Sequence, residues 1–438
     1  MTQGRIDIIT MGCSKNLVDS ERLMSMLAAK GYDMHHDSHD VSGEVVVVNT
    51  CGFIGDAKQE SIDMILNLIE TKTNGKIGAV YVMGCLSQRY LNELQEELEE
   101  VDGWYRKFDW DRIVDSLPDK TNTAITAKPW ERIITTGPSS AFIKISEGCD
   151  RMCAYCAIPL ITGRHRSRPE SEIIDEVKSL VAQGVKEFNV IAQDLSAYGR
   201  DLAGGESRLA SLIDAMADVP GVRWIRLHYA YPVDFPWDVL EVMRKHENVC
   251  KYLDIALQHI STSVLQGMRR HIDREQTLEL IARIRREVPG IALRTTLMTG
   301  FPGEGDAEYD ELTEFVKAAR FERLGVFAYS EEEGTWAARH LKDEIPQEIK
   351  DERRDALLDI HESQALELNE ALVGQEVTVM IDNGIDEEVV GRTQWDSPDV
   401  DHLVHIDVPD DMEMPTPGDF VRVRITDALP YDLYAEMI

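Results

Sequence analysis

Three cysteines in the middle of the chain, Cys149, Cys153 and Cys156, are separated by three and then two residues. Thiolates are the preferred protein ligands of iron–sulfur clusters, which usually take four of them. Because no fourth cysteine lies nearby in the sequence, a four-iron cluster held here would keep one iron open for another ligand. A zinc site is the alternative, but zinc prefers four ligands in a closed site and usually paired C-x2-C spacings. The spacing therefore favours a cluster with one open iron.

A second set of three cysteines, each directly next to a glycine, stands earlier in the chain at Cys13, Cys51 and Cys85. Each is expected just beyond the carboxyl end of a β-strand, at the edge where open parallel sheets bind ligands. This repeated position predicts a second three-cysteine cluster, with the glycines allowing the backbone to turn tightly beside it. Three unrelated buried cysteines are the alternative, because free cysteine packs well in cores. The remaining cysteine, Cys250, stands alone after a helix and is predicted to be structural.

The spacing C-x3-C-x2-C after an apolar strand resembles the signature of the radical S-adenosylmethionine (SAM) superfamily. In that superfamily SAM chelates the open iron, so the resemblance implies SAM and a 4Fe-4S cluster as cofactors. Many of these enzymes grip the SAM amino group with a Gly-Gly-Glu run after the second strand. This chain has Gln193 and Asp194 at that place instead.

Three residues are expected to contact SAM. Gln193 follows the second strand of a predicted barrel, and Arg294 lies on its fifth strand. These two residues are expected to hold the amino and carboxylate ends of SAM. A structural hydrogen-bonding role is the alternative for both. Tyr155, inside the cysteine loop, is expected to lean on the adenine ring. No residue is predicted to act as a general base.

The elements that must position these residues form three predicted domains. Residues 1–135 alternate strands and helices, which predicts an open doubly wound α/β domain. Residues 136–370 alternate again and predict an incomplete (β/α)6 barrel, with active residues at the carboxyl ends of its strands. Residues 371–438 show short alternating runs between turn residues, which predicts a small antiparallel β-barrel. A linker is predicted over Pro118–Pro129, and a long charged helix over Pro346–Leu372.

The chain is strongly acidic, with a formal net charge of −33. From Ala371 onward it has 16 Asp and Glu against three Arg, a net charge of −13. Nucleic-acid binders usually show a basic footprint, because phosphate contacts dominate their affinity. The acidic field disfavours strong RNA binding and favours a basic partner. Solubility is the alternative reason for the acidity.

The sequence indicates a cytoplasmic protein without a membrane anchor. No apolar run approaches the roughly 18 residues of a membrane span, and the amino terminus is predicted to lead into a strand without a signal peptide. The cysteines are interpreted as reduced metal ligands rather than as disulfides.

The order of a three-cysteine domain, a radical-SAM barrel and a TRAM-like barrel resembles the methylthiotransferase family. Within it, the run Met11–Glu21, with Ser14-Lys15-Asn16 after the first cysteine, is similar to the branch that modifies protein S-twelve of the small ribosomal subunit. The run Gln394–Asp401 is also similar to that branch. The tRNA-modifying branch more typically has Gln-Met-Asn after the first cysteine.

This resemblance implies two 4Fe-4S clusters and addition of a methylthio group to the β-carbon of an aspartate of S-twelve, free or in the small subunit. An electron donor and a sulfur donor are implied as partners. Asp396, Asp399 and Asp401 are expected to meet the basic substrate surface, and the Arg164–Arg168 loop to face the target aspartate. Two alternatives remain: methylthiolation of isopentenylated adenosine in tRNA, and a non-catalytic iron–sulfur or ribosome-binding protein. Two complete cysteine triads argue against the second.

Overall fold

The computed structural model describes residues 2–121, 127–128, 130–202, 204–385 and 388–438. Its amino-terminal part alternates strands and helices as the sequence predicts. Its elements are β1 (Thr2–Thr10), α1 (Ser14–Ala29), β2 (Asp33–His36), β3 (Gly43–Thr50), α2 (Gly55–Thr73), β4 (Ala79–Gly84), α3 (Cys85–Glu97), β5 (Gly103–Trp104) and α4 (Trp110–Ser116). Of the predicted linker, residues 122–126 and 129 lie outside the described residues.

The first sheet is wholly parallel, with the strand order β2-β1-β3-β4-β5. The four consecutive valines of β3 are buried on both faces, as a central strand between two helical layers requires. Apolar clusters fill both faces of the sheet. The predicted doubly wound α/β domain is therefore confirmed. Its strand order changes direction between β1 and β3, which is where such sheets open a ligand crevice.

The middle part carries a second parallel sheet and its helices. Its strands are β6 (Ser140–Lys144), β7 (Ser146–Glu147), β8 (Arg166–Ser167), β9 (Glu187–Ile191), β10 (Trp224–Ala230), β11 (Val249–Ile255), β12 (Ala292–Thr299) and β13 (Arg323–Ala328). Its helices are α5 (Ile158–Ile161), α6 (Glu170–Ala182), α7 (Leu209–Ala217), α8 (Val239–Lys245), α9 (Thr262–Gly267), α10 (Arg274–Glu287), α11 (Asp306–Ala319), α12 (Trp336–His340) and α13 (Gln347–Glu370).

Six parallel strands form this sheet in the order β13-β12-β11-β10-β9-β6. The two ends of the sheet do not pair within the described residues, so the barrel is incomplete, as predicted. Short β7 and β8 pair as a separate ribbon beside the cysteine motif. One continuous apolar core lies between the strands and their helices.

The carboxyl-terminal part is a closed five-stranded barrel in the order β14-β15-β16-β18-β17. Its strands are β14 (Glu376–Ile385), β15 (Glu388–Thr393), β16 (Leu403–Asp407), β17 (Phe420–Ala428) and β18 (Asp432–Met437). The predicted small barrel is confirmed, with one difference: β16 and β18 pair in parallel. Because β17 lies between them in the chain and forms a hairpin with β18, the last strand returns in the direction of β16.

The carboxyl-terminal barrel packs against the amino-terminal ends of the strands of the middle sheet. Glu187 at the start of β9 pairs with Arg392 at 2.8 Å, and Trp224 at the start of β10 packs edge-on against Phe420. Asp396 pairs with Arg323 at the start of β13. The last barrel thus lies at the opposite end of the strands from the Cys149 motif.

This position corrects the expectation that Asp396 and Asp401 meet a basic partner. Both carboxylates are enclosed, Asp396 against Arg323 and Asp401 against Arg294 at 3.3 Å. Of the three aspartates expected to meet the substrate, Asp399 is exposed. Two of the three aspartates in the run Gln394–Asp401 thus form ion pairs between domains. A sequence pattern does not distinguish such buried pairs from a charged surface.

No helix within the described ranges has the length and apolar character needed to cross a membrane.

Candidate functional site

The loop that carries Cys149, Cys153 and Cys156 follows β6 and is tied down on two sides. The Cys149 N–H donates to the Gly163 carbonyl at 3.2 Å, and the Ala154 N–H donates to the Met268 carbonyl at 2.9 Å. Gly148 has a positive φ of 84°, and a Cβ there would collide with the backbone of Arg164. Glycine is therefore required directly before the first cysteine, where the chain turns into the loop.

The chemistry of this thiol set fits a cluster. Burial raises the pKa of the Cys149 thiol to about 12, and burial together with the neighbouring Cys153 raises the pKa of Cys156. Three thiolates are thus unstable together unless a cationic centre binds them, which is what a four-iron cluster provides. Arg270 places Nη1 3.6 Å from Cys153 Sγ, and the Tyr231 hydroxyl lies 3.7 Å from the same sulfur. Hydrogen bonds to sulfur of this kind tune cluster reduction potentials.

Tyr155 lies in the cysteine loop with its polar end held. Its hydroxyl accepts a hydrogen bond from Arg270 Nη1 at 3.3 Å, and its ring packs edge-on against Phe301. The residue is half-buried beside the motif, as the predicted adenine contact requires. Contact with adenine stays a prediction.

Gln193 lies beside the motif and has a free acceptor. Its amide nitrogen donates to Glu147, whose other oxygen pairs with Lys144 at 2.8 Å. Its Oε1 is buried without a hydrogen-bond partner. Buried polar atoms are rarely left unpaired, so this carbonyl oxygen suits an amino-group donor such as that of SAM. Next to it, Asp194 is held by Arg151 at 2.6 Å.

Arg294 lies near the amino-terminal end of β12, whereas the cysteine loop follows the carboxyl-terminal end of β6. Its guanidinium is paired with Asp401 at 3.3 Å and Asp254 at 3.7 Å. It lines a cavity of about 430 Å³ that also reaches Cys13 and the exposed Asp399. The charge of Arg294 is thus used in contacts within and between domains, and its contact with SAM stays a prediction.

The other three cysteines follow β1, β3 and β4 and lie at the carboxyl edge of the first sheet. Gly12 lies so close to Cys51 that a Cβ on it would be 2.8 Å from the Cys51 sulfur. The Cys85 sulfur lies 3.5 Å from Asn16 Oδ1, on the helix that begins directly after Cys13. The sheet order, and not proximity in sequence, brings these loops together.

These thiols differ in their electrostatic surroundings. Burial raises the pKa of Cys85 to about 12. Desolvation by the surrounding protein opposes ionisation of Cys13, yet its pKa is lowered because the ammonium groups of Lys15 and Lys107 favour the thiolate. In the described part of the chain, no three His, Cys, Asp or Glu side chains are placed to hold a single metal ion. In a cluster each thiolate binds a different iron, so its ligands need not converge on one point.

A buried chain of ionic contacts connects the two cysteine sites, and it was not among the sequence-based predictions. Lys107 donates to Asn16 at 3.0 Å and to Asp19 at 2.7 Å. On its other side Asp19 binds Lys144, which pairs with Glu147, two residues before Cys149. Lys107 and Asp19 are each about 1% exposed. Asp19 and Glu21 are both buried in α1 beside Val18 and Leu23, and carboxylates next to such apolar residues were the available signal.

The three parts of the chain each match a known family. Residues 5–105 match the family described as "Uncharacterized protein family UPF0004", residues 143–316 match the radical SAM superfamily, and residues 373–438 match the TRAM domain. With the cysteine loop at its strand end, the fold defines a radical-SAM enzyme with an added three-cysteine domain. As in that superfamily, a 4Fe-4S cluster and SAM are its cofactors.

Relatives that match over their full length show which family of radical-SAM enzymes the chain belongs to. The chain is 52% identical to the "Ribosomal protein uS12 methylthiotransferase RimO" of Parabacteroides distasonis and 54% identical to that of Phocaeicola vulgatus, over 100% of both chains in each case. It is 44% identical to that of Cytophaga hutchinsonii, over 99% of this chain and 98% of the relative. The chain therefore belongs to the RimO family of methylthiotransferases, and these relatives support the ribosomal-protein branch rather than the tRNA branch.

Solved structures share the fold at much lower identity. The radical SAM methyltransferase TsrM from Kitasatospora setae, with cobalamin and a 4Fe-4S cluster bound, has a TM-score of 0.55 at 15% identity and covers 75% of each chain. The cobalamin-dependent SAM radical enzyme OxsB, with aqua-cobalamin and SAM bound, has a TM-score of 0.50 at 13% identity, over 81% of this chain and 56% of its own.

Proposed function

We propose that the chain adds a methylthio group to the β-carbon of an aspartate of ribosomal protein uS12, the S-twelve protein of the small subunit. The observation that carries this proposal is the placement of two three-cysteine sites on facing domains, joined by the buried Asp19–Lys144 contact. The RimO-named relatives, which match over their whole length, support the same reading.

The first site binds SAM. A 4Fe-4S cluster on Cys149, Cys153 and Cys156 supplies, when bound, the electron that cleaves SAM to a radical able to take hydrogen from an unactivated carbon. The unpaired Oε1 of Gln193 accepts the SAM amino group, and Tyr155 lies against the adenine. Arg270 stays beside the Cys153 sulfur and fixes the Tyr155 hydroxyl.

The second site carries the sulfur chemistry. We infer that Cys13, Cys51 and Cys85 hold an auxiliary 4Fe-4S cluster with one iron open for the sulfur that is transferred. Their meeting at one sheet edge, beside Gly12 and the amino end of α1, supports this assignment. The role of the chain's residues is placement and exclusion of water, so no general base is assigned.

The partners follow from the reaction. Reductive cleavage of SAM needs an electron donor, and methylthio transfer needs a sulfur donor. The substrate is uS12, alone or within the small subunit, and the net charge of −33 suits a basic protein of this kind. We place the reaction in the cytoplasm, where ribosomes are assembled.

The experiment is a paired incubation with reconstituted enzyme, SAM, reductant and a sulfur source. One arm contains uS12 or small subunits and the other contains isopentenylated tRNA. A methylthio mass gain on an aspartate of uS12, with none on the tRNA, is the expected result. A gain on the tRNA alone would favour the nucleic-acid alternative.

A further inference from the structure

Lys15, the second residue after Cys13, is a cation at the junction of the first two domains. It is half-buried in the first turn of α1, and its ammonium nitrogen lies 3.6 Å from the centre of the Tyr229 ring on β10. Among the described residues Lys15 forms no ion pair at 4.0 Å or less, and the carboxylates of Glu147 and Asp254 attract it only from a greater distance. Lys15 therefore has an aromatic face on one side and no bound anion.

The neighbouring cations are different, because each is already neutralised. Lys107 pairs with Asp19 at 2.7 Å, Lys144 with Glu147 at 2.8 Å and Arg294 with Asp401 at 3.3 Å. A charge withdrawn from water without a partner costs free energy. A protein that pairs the cations around Lys15 and leaves this one unpaired has a cation available for a ligand.

Tyr229 is held in an unusual conformation beside Lys15. Its φ of 64° is in the left-handed region, which a bulky residue rarely adopts. Its N–H donates to Asp254 Oδ2 at 3.2 Å, which stabilises this turn of the backbone. Strain of this kind is commonly found at functional sites. With 36% of its surface exposed, the Tyr229 side chain remains accessible from solvent.

We propose that the Lys15 ammonium binds the carboxylate of the side chain to be modified, with the Tyr229 ring fixing the ammonium from the other side. This inference rests on the proposed function and deepens it. An ammonium donating to a carboxylate forms a charge-assisted hydrogen bond, stronger than one to a neutral group. Since Lys15 follows Cys13 by two residues, a carboxylate held there has its neighbouring carbon beside the auxiliary cluster site. A neutral base such as adenine offers this ammonium no charge to pair with.

The test is a double-mutant cycle on binding. Lys15→Met removes the charge but keeps much of the side-chain length, and the substrate variant changes the target aspartate of uS12 to asparagine. Lys178→Met is the matched control, because it removes an exposed lysine from α6, away from both cysteine sites. Affinity of reconstituted enzyme for uS12 is measured without reductant, so that no turnover occurs.

Wild type and Lys178→Met are expected to bind the asparagine variant about tenfold more weakly than native uS12, the loss expected for one charge-assisted contact. Lys15→Met is expected to bind both forms alike, and Lys15→Arg to recover part of the discrimination. Lys15→Met with undiminished discrimination would overturn the inference. So would a loss of iron from Lys15→Met, which would place Lys15 in cluster binding.

The failure of this inference can be told apart from failure of the proposed function. Wild-type enzyme that transfers no methylthio group to uS12 would overturn both. Wild-type enzyme that modifies uS12, together with a Lys15→Met variant that discriminates as wild type does, would overturn only the role of Lys15.

Discussion

At the scale of single residues, the six cysteines at the two sites should divide the iron between them. Reconstituted protein is expected to hold about eight irons, as two four-iron clusters. Replacing Cys149, Cys153 and Cys156 with Ala should leave about four irons and abolish SAM cleavage. Cys250→Ala is the control: Cys250 is buried in an apolar cluster with Trp224 and Tyr252, so the iron load should not change.

The complementary variant separates the chemistry of the two sites. Replacing Cys13, Cys51 and Cys85 with Ala should preserve reductive cleavage of SAM to 5′-deoxyadenosine but give no methylthio product. Both products are measured by mass spectrometry in one reaction. Loss of SAM cleavage from a folded variant that keeps its first cluster would contradict this division of labour.

Gln193 and Arg294 should respond differently to substitution. Gln193→Ala removes the unpaired buried acceptor and is expected to weaken SAM binding about tenfold, the value of one hydrogen bond to a charged group. Arg294→Gln leaves Asp254 and Asp401 without their cation, so it should lower the thermal midpoint without a matching loss of SAM affinity. Equilibrium binding of SAM and thermal unfolding of both variants measure the difference. Weaker SAM binding by Arg294→Gln alone would instead support the predicted contact of Arg294 with SAM.

The cysteines could be predicted from sequence, whereas their charged neighbours could not. Few other structures require cysteines at such spacings, so a set of three cluster ligands can be recognised from the sequence alone. Lys107, Lys144 and Arg270 look like ordinary surface residues in the sequence. Their burial depends on which helix and strand pack beside them, and that is decided by tertiary structure.

At the scale of elements, helix α1 is held to the middle sheet by the buried Asp19. Asp19→Asn should destabilise the protein by about 3–5 kcal/mol, because it leaves Lys107 and Lys144 buried without their shared anion. Denaturant unfolding of the reconstituted protein measures this loss. Glu60→Gln, which removes an exposed carboxylate from α2, is the control and should change stability by less than about 0.5 kcal/mol.

Long elements were predicted well and short ones were missed. The six barrel strands and the helices between them follow from hydrophobic periodicity over many residues. Strands β2 and β5 and helix α4 are too short for periodicity to be visible, and they form because a neighbouring strand or sheet face is already in place. The predicted domain boundaries at residues 135 and 370 stay a prediction; the first sheet ends at Trp104 and the second begins at Ser140.

At the scale of the whole molecule, docking of the last barrel should be sensitive to mild acid. Burial, followed by the nearby Arg323 guanidinium, lowers the pKa of His361 to about 4 and that of His402 to about 3. In the unfolded chain these groups titrate near the ordinary value of about 6.5. The unfolded state therefore takes up protons first, so stability is full above about pH 6.5 and falls as the pH drops toward 4.

Unfolding free energy measured from pH 7.5 to 4.5 tests this expectation. The other charged group facing this pair is Asp396, which opposes the effect at His402 but does not reverse it. Replacing both His361 and His402 with Gln should flatten the profile over this range. An unchanged slope in that double variant would assign the acid sensitivity to other groups.

The order of the three domains was visible in the sequence, but the way they dock was not. Arg392, Arg226 and Glu187 form a buried cluster across two domains, and Arg226 and Glu187 have no exposed surface. Such pairs look like surface charge in a composition count. Because salt screens exposed charges far more than buried ones, the salt dependence of uS12 binding should arise from the exposed acidic residues. Binding should weaken as the salt concentration rises.

The charged contacts of the carboxyl-terminal barrel limit its exchange between related chains. Arg392 of this barrel pairs with Glu187, and Asp396 pairs with Arg323, at the amino-terminal ends of the middle strands. A chimera that receives the equivalent barrel from a relative with different charges would leave Glu187 and Arg323 facing an uncharged or repelling surface. Recombination at this boundary is therefore constrained to change both sides together, although the barrel is a separate fold. The barrel is a separate unit in the sequence, but the stability of the protein depends on its charged contacts with the middle domain.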